Sequence, residues 1–513
     1  MKNIFSISII TIVVLASCNK KLDQLPISTA TTETFYKQPS DFLQAVNATY
    51  NSLRNYPNRL LALSEVRSDN IYPSNEVARD HDPISEFSKG IAPNTSVEEA
   101  WRENFSGIFK ANTTLEQIEK NGSFIGSEAL AKRLTAEARF LRAFFYFDLV
   151  RYFGKVPIID HPVLSAEANK IPRSPVADVY AFIISDLQFA IANLPANYAG
   201  TFPNYTATDV GRATKYAAEA VLANVYMARS GPTYGIEGPG LGLNEWGLAL
   251  TLLQDIITNG GFAFNPNYAS IFSYTNQSPT PAGNREAIFD VMYLTGQNPV
   301  LGATFPWALV PQNYFNSLPA GNTQANGSLG FPGVSNNLLT SYANNDTRKA
   351  QSINTTTFTF SGISDSHPFF KKYLDITRIP AASRFDWGIN FIAIRYTDIL
   401  MLKAECILRG APGTQAEVDA IVNQVRVRAN QSPIANVTLA QLFEERRKEF
   451  AAEGLRWFDL QRSGELITIM NAWRVAEDVQ GKINPITANH IIYPVPQTQM
   501  DAAPGLYTQN PGY

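Results

Sequence analysis

The chain has 513 residues, 45% of them hydrophobic and 17% charged, and carries a net charge of -3. That charge fraction lies well below the roughly 25% of an ordinary soluble domain, and there is no basic excess to neutralise phosphates, which excludes nucleic acid as a partner. Aromatic residues reach 12%, with 31 Phe, 22 Tyr and 6 Trp; most must be buried, and a minority remain as exposed stacking surfaces.

Lys2 precedes an apolar run at residues 4–14, followed by Leu15-Ala16-Ser17-Cys18. The run has the length of a secretory signal core and is too short to span a membrane. Leu-Ala-Ser-Cys resembles a lipobox, so residues 1–17 are expected to be removed and Cys18 to be lipidated. Several acyl chains on one residue exceed what stable anchoring needs. Residues 19–34 are polar and irregular, as suits a tether at 18–37. No later stretch reads as a span, so the mature protein is expected to be anchored and not inserted.

Residues 41–54 carry Phe42, Ala45, Val46, Thr49 and Leu53 at helical spacing. Residues 55–93 read as irregular, broken by Pro57, Pro73, Pro83 and Gly90. A helix follows, with Ser96 as its expected N-cap and Glu98 and Glu99 in its first turn. Residues 128–151 set Leu134, Ala138, Leu141, Phe145 and Leu149 on one stripe, ended by Gly154 and Pro157. Residues 176–194 and 214–229 repeat the pattern. Small residues inside these stripes (Ala136, Ala138, Ala143; Ala217, Ala218, Ala220, Ala223) let paired helices approach closely. Stacked helical pairs follow, without a strict sequence repeat.

From Gly231 to Asn354 the chain is dense in Gly, Pro, Asn, Ser and Thr, with one helix at 244–258 and a short strand at 286–291. Loops of this length are functional or disordered; the aromatics spaced through this one argue for order. Helical patterns return at 395–409, 415–429 and 439–462. The chain therefore reads as mainly α with a few short strands: a helical half at 38–230, a loop-rich ligand-binding region at 231–394, and C-terminal helices and tail at 395–513.

Motifs for chemistry are absent. His81, His161, His367 and His490 lie far apart with no metal-binding spacing. No phosphate-binding loop, nucleophile elbow or EF-hand order occurs, so neither a cofactor nor a metal is expected. Cys406 lies in an apolar helical run and reads as a buried, inert thiol. Glu453, Arg456 and Asp459 recur at i, i+3 and i+6, which puts them on one helical face. An arginine between two carboxylates keeps both ionised, the wrong state for a general acid. The series reads as structural, and no catalytic residue is assigned.

Trp101 and Asn104 place an aromatic plane and an amide on one helical face, directly after the irregular segment. A pyranose offers C–H bonds on its faces and hydroxyls on its rim, so sugar sites pair rings with polar side chains. Asp69, Asn70, Arg79 and His81 are the candidates for rim hydrogen bonds. A second cluster, Trp307, Tyr314 and Phe315, lies where Pro306 and Pro311 stiffen the long loop. Low charge and neutral polar loops point to stacking as the main contribution, nearly independent of salt.

Four blocks carry a family resemblance. Glu137-Ala138-Arg139-Phe140-Leu141-Arg142-Ala143 leads into Tyr146-Phe147-Asp148-Leu149 and Tyr152-Phe153-Gly154-Lys155-Val156-Pro157. Ile394-Arg395-Tyr396-Thr397-Asp398-Ile399-Leu400 leads into Ala404-Glu405. The third block is residues 444–460, and the fourth pairs Ile492-Tyr493-Pro494-Val495-Pro496 with the closing Gln509-Asn510-Pro511-Gly512-Tyr513. Together they resemble the SusD/RagB family of nutrient-capturing surface lipoproteins. Members often have Ala where Thr397 and Cys406 stand. The resemblance implies a SusD-like fold of tetratricopeptide-like helical pairs and a lipid-anchored, outward-facing place at the outer membrane. It further implies a SusC-like TonB-dependent transporter as partner, an oligosaccharide as ligand and no enzymatic activity. Peptide or other nutrient capture for the same transporter type, and a surface glycosidase built on two carboxylates, are the alternatives. The sequence places no such carboxylate pair.

Overall fold

The computed structural model describes residues 35–73, 80–278, 283–311, 313–318, 333–375 and 383–513. The expected signal, Cys18 and Arg79 lie outside the described residues. The longer helices are α1 (Pro39–Tyr50), α2 (Thr95–Asn121), α3 (Glu128–Phe153), α4 (Val176–Asn193), α5 (Lys215–Ser230), α6 (Trp246–Asn259), α7 (Tyr396–Leu408), α8 (Gln415–Arg428), α9 (Leu439–Glu449), α10 (Arg456–Ser463) and α11 (Leu466–Glu477). Side-chain caps set several starts. Asn94 accepts from the amides of Ser96 and Val97, so α2 is capped by Asn94 and not by Ser96. Ser127 and Thr214 cap α3 and α5, and Thr414 and Thr438 form capping boxes with Glu417 and Gln441.

From α2 to α8 each helix packs on the next in chain order. The fold is mainly α, a stack of helical pairs. Helix α3 is buried without a break from Phe140 to Val150, because α2 and α4 flank it. Close approach is written into single positions. A Cβ on Gly107 of α2 would lie 2.4 Å from the Phe145 ring, so a larger residue would force the pair apart. Ala217, Ala218, Ala220 and Ala223 are all fully buried where α5 meets its neighbours.

Helices α6 and α7 are neighbours in space although the loop-rich region separates them in sequence. That region is thus an insertion extruded from one level of the stack. Its two ends are zipped by strands β1 (Ala287–Val291) and β2 (Phe391–Arg395), antiparallel, with Ala287 opposite Arg395 and Val291 opposite Phe391. Phe289 of β1 packs edge-on against Phe140 and against Phe144 of α3.

Three expectations need correction. Helix α4 is 18 residues long with a mean hydropathy of 1.2, the length and polarity of a minimal span. Its Val179, Tyr180, Ile183 and Leu187 are buried against other helices, and its Asp186 pairs with Arg142 at 2.7 Å, as in the core helix of a globular fold. The helix expected at 439–462 is two. Ala452 (φ 68°) and Gly454 (φ 74°) turn the backbone left-handed between α9 and α10, and a Cβ on Gly454 would also meet Leu60 at 2.5 Å. Glu453 therefore shares no helical face with Arg456 and Asp459. The segment at 55–93 holds a short helix (Tyr56–Leu60), a π-turn (Leu61–Glu65) and a further short helix (Asp82–Ser85).

Buried charge ties the insertion to the C-terminal helices. Arg395 reaches Glu453 at 2.7 Å, Glu449 at 2.9 Å and Glu286 at 3.2 Å. Arg428 lies 2.6 Å from both Glu286 and Glu449. Arg348 binds Asp346 and Glu445, each at 2.7 Å, and Lys372 binds Glu453 at 2.8 Å. Burial would raise the Glu449 carboxyl, but Arg428, Arg395 and Arg348 outweigh it and hold it at about 2. The spaced acidic and basic series joins the same layer through separate partners. Arg456 binds Asp69 at 2.8 and 2.9 Å, and Asp459 binds Arg446 at 2.9 Å and Arg462 at 2.7 Å.

Candidate functional site

The insertion and the α1–α2 segment face each other across a cleft of about 360 Å³, lined by Asn58, Arg59, His81, Glu99, Trp307 and Phe385 among others. Trp307 is aimed into it by an anchored turn. Ala303 pairs with Trp387 through two backbone hydrogen bonds, of 2.8 and 3.1 Å, and the Trp387 ring is buried. The short helix Phe305–Ala308 then buries Phe305 against Tyr373 and Phe391 and leaves Trp307 half-exposed.

Phe385 meets the indole of Trp307 edge-on at 5.1 Å and is 38% exposed, so its ring is open to the cleft. The Arg384 guanidinium lies 5.0 Å from the Trp307 ring and 4.8 Å from Phe385, which stiffens the platform by cation–π contact. Three polar atoms of the cleft residues are buried and without a partner among the described residues: Trp307 Nε1–H and Arg59 Nε–H, donors, and Asn58 Oδ1, an acceptor. The Asn58 amide nitrogen is already used, donating to Thr304 Oγ1 at 2.5 Å. Unpaired buried polar atoms cost free energy unless something fills them.

Arg59 forms the cleft's inner wall. It is buried, donates to Glu103 at 2.6 Å and to Asn104 Oδ1 at 3.3 Å, and leaves Nε unpaired. Desolvation pushes His81 down to about 4, with Asp80 opposing weakly, so the ring is neutral at neutral pH. Burial, then the neighbouring Glu103, raises the Glu99 carboxyl.

The other sequence candidates fall elsewhere. Trp101 is 3% exposed and packed on Phe105, Phe153 and Tyr507. Asn104 is fully buried and donates to the Ala100 carbonyl and to Asp148 Oδ2. Their shared helical face exists, but it points inward, onto α3 and the C-terminal tail. Asp69 and Asn70 are buried beneath Arg456 and Arg447, and Asn70 also donates to Glu65. Their polar atoms are consumed inside the protein, so the structure moves all four out of the site. Tyr314 is half-buried in a separate ring cluster with Phe315, Phe358 and Phe369. Of the candidates, the structure brings together His81 and Trp307, and adds Asn58, Arg59, Arg384 and Phe385, which carry no local sequence signal. Cys406 is fully buried, and burial pushes its thiol up, away from reactivity.

Comparison with known proteins matches two family profiles to this chain: one described as "Starch-binding associating with outer membrane" over residues 20–227, and "SusD family" over residues 371–513. A SusD-like protein, P25, of Formosa agariphila is 26% identical, covering 96% of this chain and 95% of that one. A SusD-like protein of Bacteroides ovatus is 26% identical over 90% of this chain and 82% of its own length. Among solved structures, surface glycan-binding protein A from Bacteroides thetaiotaomicron in complex with laminarihexaose superposes with a TM-score of 0.75 at 22% identity, covering 93% of this chain and all of that one. The corresponding protein of Bacteroides uniformis gives 0.76 at 23% identity, over 92% of this chain and all of its own.

Proposed function

The chain belongs to the SusD/RagB family, and from that premise we propose that it captures oligosaccharide at the outer-membrane surface and passes it to a SusC-like TonB-dependent transporter. Cys18 carries the lipid anchor, and the cleft faces the outside. The observation that supports the glycan reading most is the half-exposed Trp307 ring with an unpaired Nε1–H, set against Phe385 and beside the unpaired Asn58 Oδ1. A sugar ring supplies C–H bonds for the exposed aromatic faces and hydroxyls for the polar side chains of the cleft wall. The laminarihexaose held by a structural neighbour points the same way.

The cleft binds without turnover. Glu99 is its only carboxylate among the described lining residues, and glycoside hydrolysis uses two, flanking the scissile bond. Titration calorimetry of the protein against a glycan panel including laminarihexaose, with chromatography of the recovered ligand, tests both points. Intact ligand and saturable binding are expected. Shortened products would make the protein an enzyme, and saturation by peptides alone would move it to peptide capture.

A further inference from the structure

Beside the aromatic cleft lies a second compartment of about 350 Å³, which shares Asn55 and Thr304 with it and adds Asn51, Arg54, Glu103 and Lys110 to its lining. The two compartments differ in chemistry. No aromatic side chain lines this one among the described residues. Its one carboxylate is already taken: Glu103 accepts from Arg59 Nη1 at 2.6 Å and from Asn55 Nδ2 at 3.0 Å.

Its cations are not neutralised. Among the described residues neither Arg54 nor Lys110 forms an ion pair. Lys110 Nζ donates to Ser52 Oγ at 2.9 Å, and Arg54 Nη2 donates to the carbonyls of Val300 at 2.5 Å and Gly302 at 3.4 Å. Neutral acceptors fix where these side chains sit and leave their charge uncompensated. Lys110 keeps two further N–H donors, and Arg54 keeps its Nε and Nη1 donors. Arg348, Arg395 and Arg456 instead meet carboxylates within 2.9 Å; Arg67, like Arg54, is held by neutral acceptors, but it is fully buried and stacked on Phe87 and Tyr493, so no outside anion reaches it. Two positioned cations in a trough continuous with a ring-binding cleft are complementary to an anion carried by the same ligand.

We propose that this trough is a subsite for an anionic substituent, a carboxylate or a sulfate, on a sugar adjoining the one that stacks on Trp307, so that the preferred ligand is an acidic oligosaccharide. The proposal rests on the glycan reading of the aromatic cleft and adds to it a charged contact that the rings cannot make.

The test is titration calorimetry of the full chain with three oligosaccharides of matched length: neutral laminarihexaose, a uronate series and a sulfated series, each at low and high salt. At least one acidic probe should bind roughly tenfold more tightly than the neutral one and lose that advantage as salt screens the pair of cations. Lys110→Ala should remove the advantage and leave the neutral probe unaffected. Arg54→Gln, which keeps amide donors for Val300 and Gly302 while deleting the charge, should do the same, with circular dichroism confirming the fold of both variants. Whichever acidic series shows the effect identifies the anion. Equal binding of acidic and neutral probes, or equal weakening of both by Lys110→Ala, would overturn the subsite while binding that still depends on Trp307 leaves the cleft reading standing. Absence of binding by every probe would remove that reading and this subsite with it.

Discussion

The charged layer under α9 and α10 and the groove beside Trp307 use the same residue types to opposite ends. In the layer, Arg395, Arg428 and Arg348 converge on Glu449, and each carboxylate around them is matched by a cation within hydrogen-bond distance. In the groove, among the described residues, Trp307 Nε1 and Asn58 Oδ1 have no partner, and Arg54 and Lys110 form no ion pair. Residue type alone does not separate scaffold from site here: in the layer each cation meets a carboxylate, and at Arg54 and Lys110 it does not. A buried network that satisfies itself locks a geometry, whereas one left open waits for a molecule from outside.

The strongest way to break the comparison is to open the closed region. Arg395→Ala strands Glu286, Glu449 and Glu453 without their shared cation, and should cost about 3–5 kcal/mol, read as a fall in melting temperature. Arg456→Ala should act similarly through Asp69. If Arg456→Ala kept its stability and lost ligand binding instead, the layer would be functional. Acid acts on this region and on two histidines outside it. His81 and His490 are both pushed down to about 4 by desolvation, with Arg67 adding to the effect at His490, so the unfolded chain takes up protons first as pH falls below 6.5. Glu449 and Asp69 are held at about 2, against 4.5 and 3.8 for ordinary Glu and Asp. At Asp69, burial pushes upward and Arg447 and Arg456 overcome it. Their contribution is complete above the ordinary values and disappears on the way down to about 2. Melting temperature should therefore decline in two stages below neutrality. A melting temperature level from pH 7 to 3 would contradict the pairing.

The two tryptophans named from sequence sharpen the contrast. Trp101→Ala removes a core ring and should destabilise by about 3–5 kcal/mol, with any folded protein still binding glycan. Trp307→Ala should leave melting nearly unchanged and weaken glycan binding by about 1–3 kcal/mol. Calorimetry and thermal melts on the pair suffice, and wild-type affinity in Trp307→Ala would place the site elsewhere.

Sequence distinguished these two rings poorly, for a physical reason. The i, i+3 spacing of Trp101 and Asn104 reports that they share a face, but not whether that face meets water or α3. Periodicity served the fold better: α3, α4 and α5 begin and end within about two residues of where the apolar stripes place them, because burial and period are one signal. It failed at the α9–α10 break, where Ala452 adopts a positive φ that its side chain does not advertise. It also passed over α11, although Leu466, Met470 and Trp473 recur at helical spacing and are buried. The groove was largely illegible. Asn58, Lys110, Trp307 and Phe385 come from four separate segments, and the folded insertion brings them together. The two unpaired cations were likewise hidden in a composition whose overall charge is low.

The smallest effect expected is an absence of one. His81 lines the aromatic cleft, and a histidine at its ordinary 6.5 would make ligand affinity change across neutrality. Desolvation brings this ring down to about 4, so it stays neutral through that range. The groove also holds two carboxylates: Glu103, held by Arg59 and Asn55, and Glu99, which burial and then Glu103 raise, so pH dependence that does not pass through His81 belongs to Glu99. His81 should therefore contribute less than about a twofold change in affinity for a neutral oligosaccharide between about pH 5.5 and 8, read as the difference between wild type and His81→Gln. A tenfold change in that window, abolished by His81→Gln, would show that His81 is charged when ligand binds.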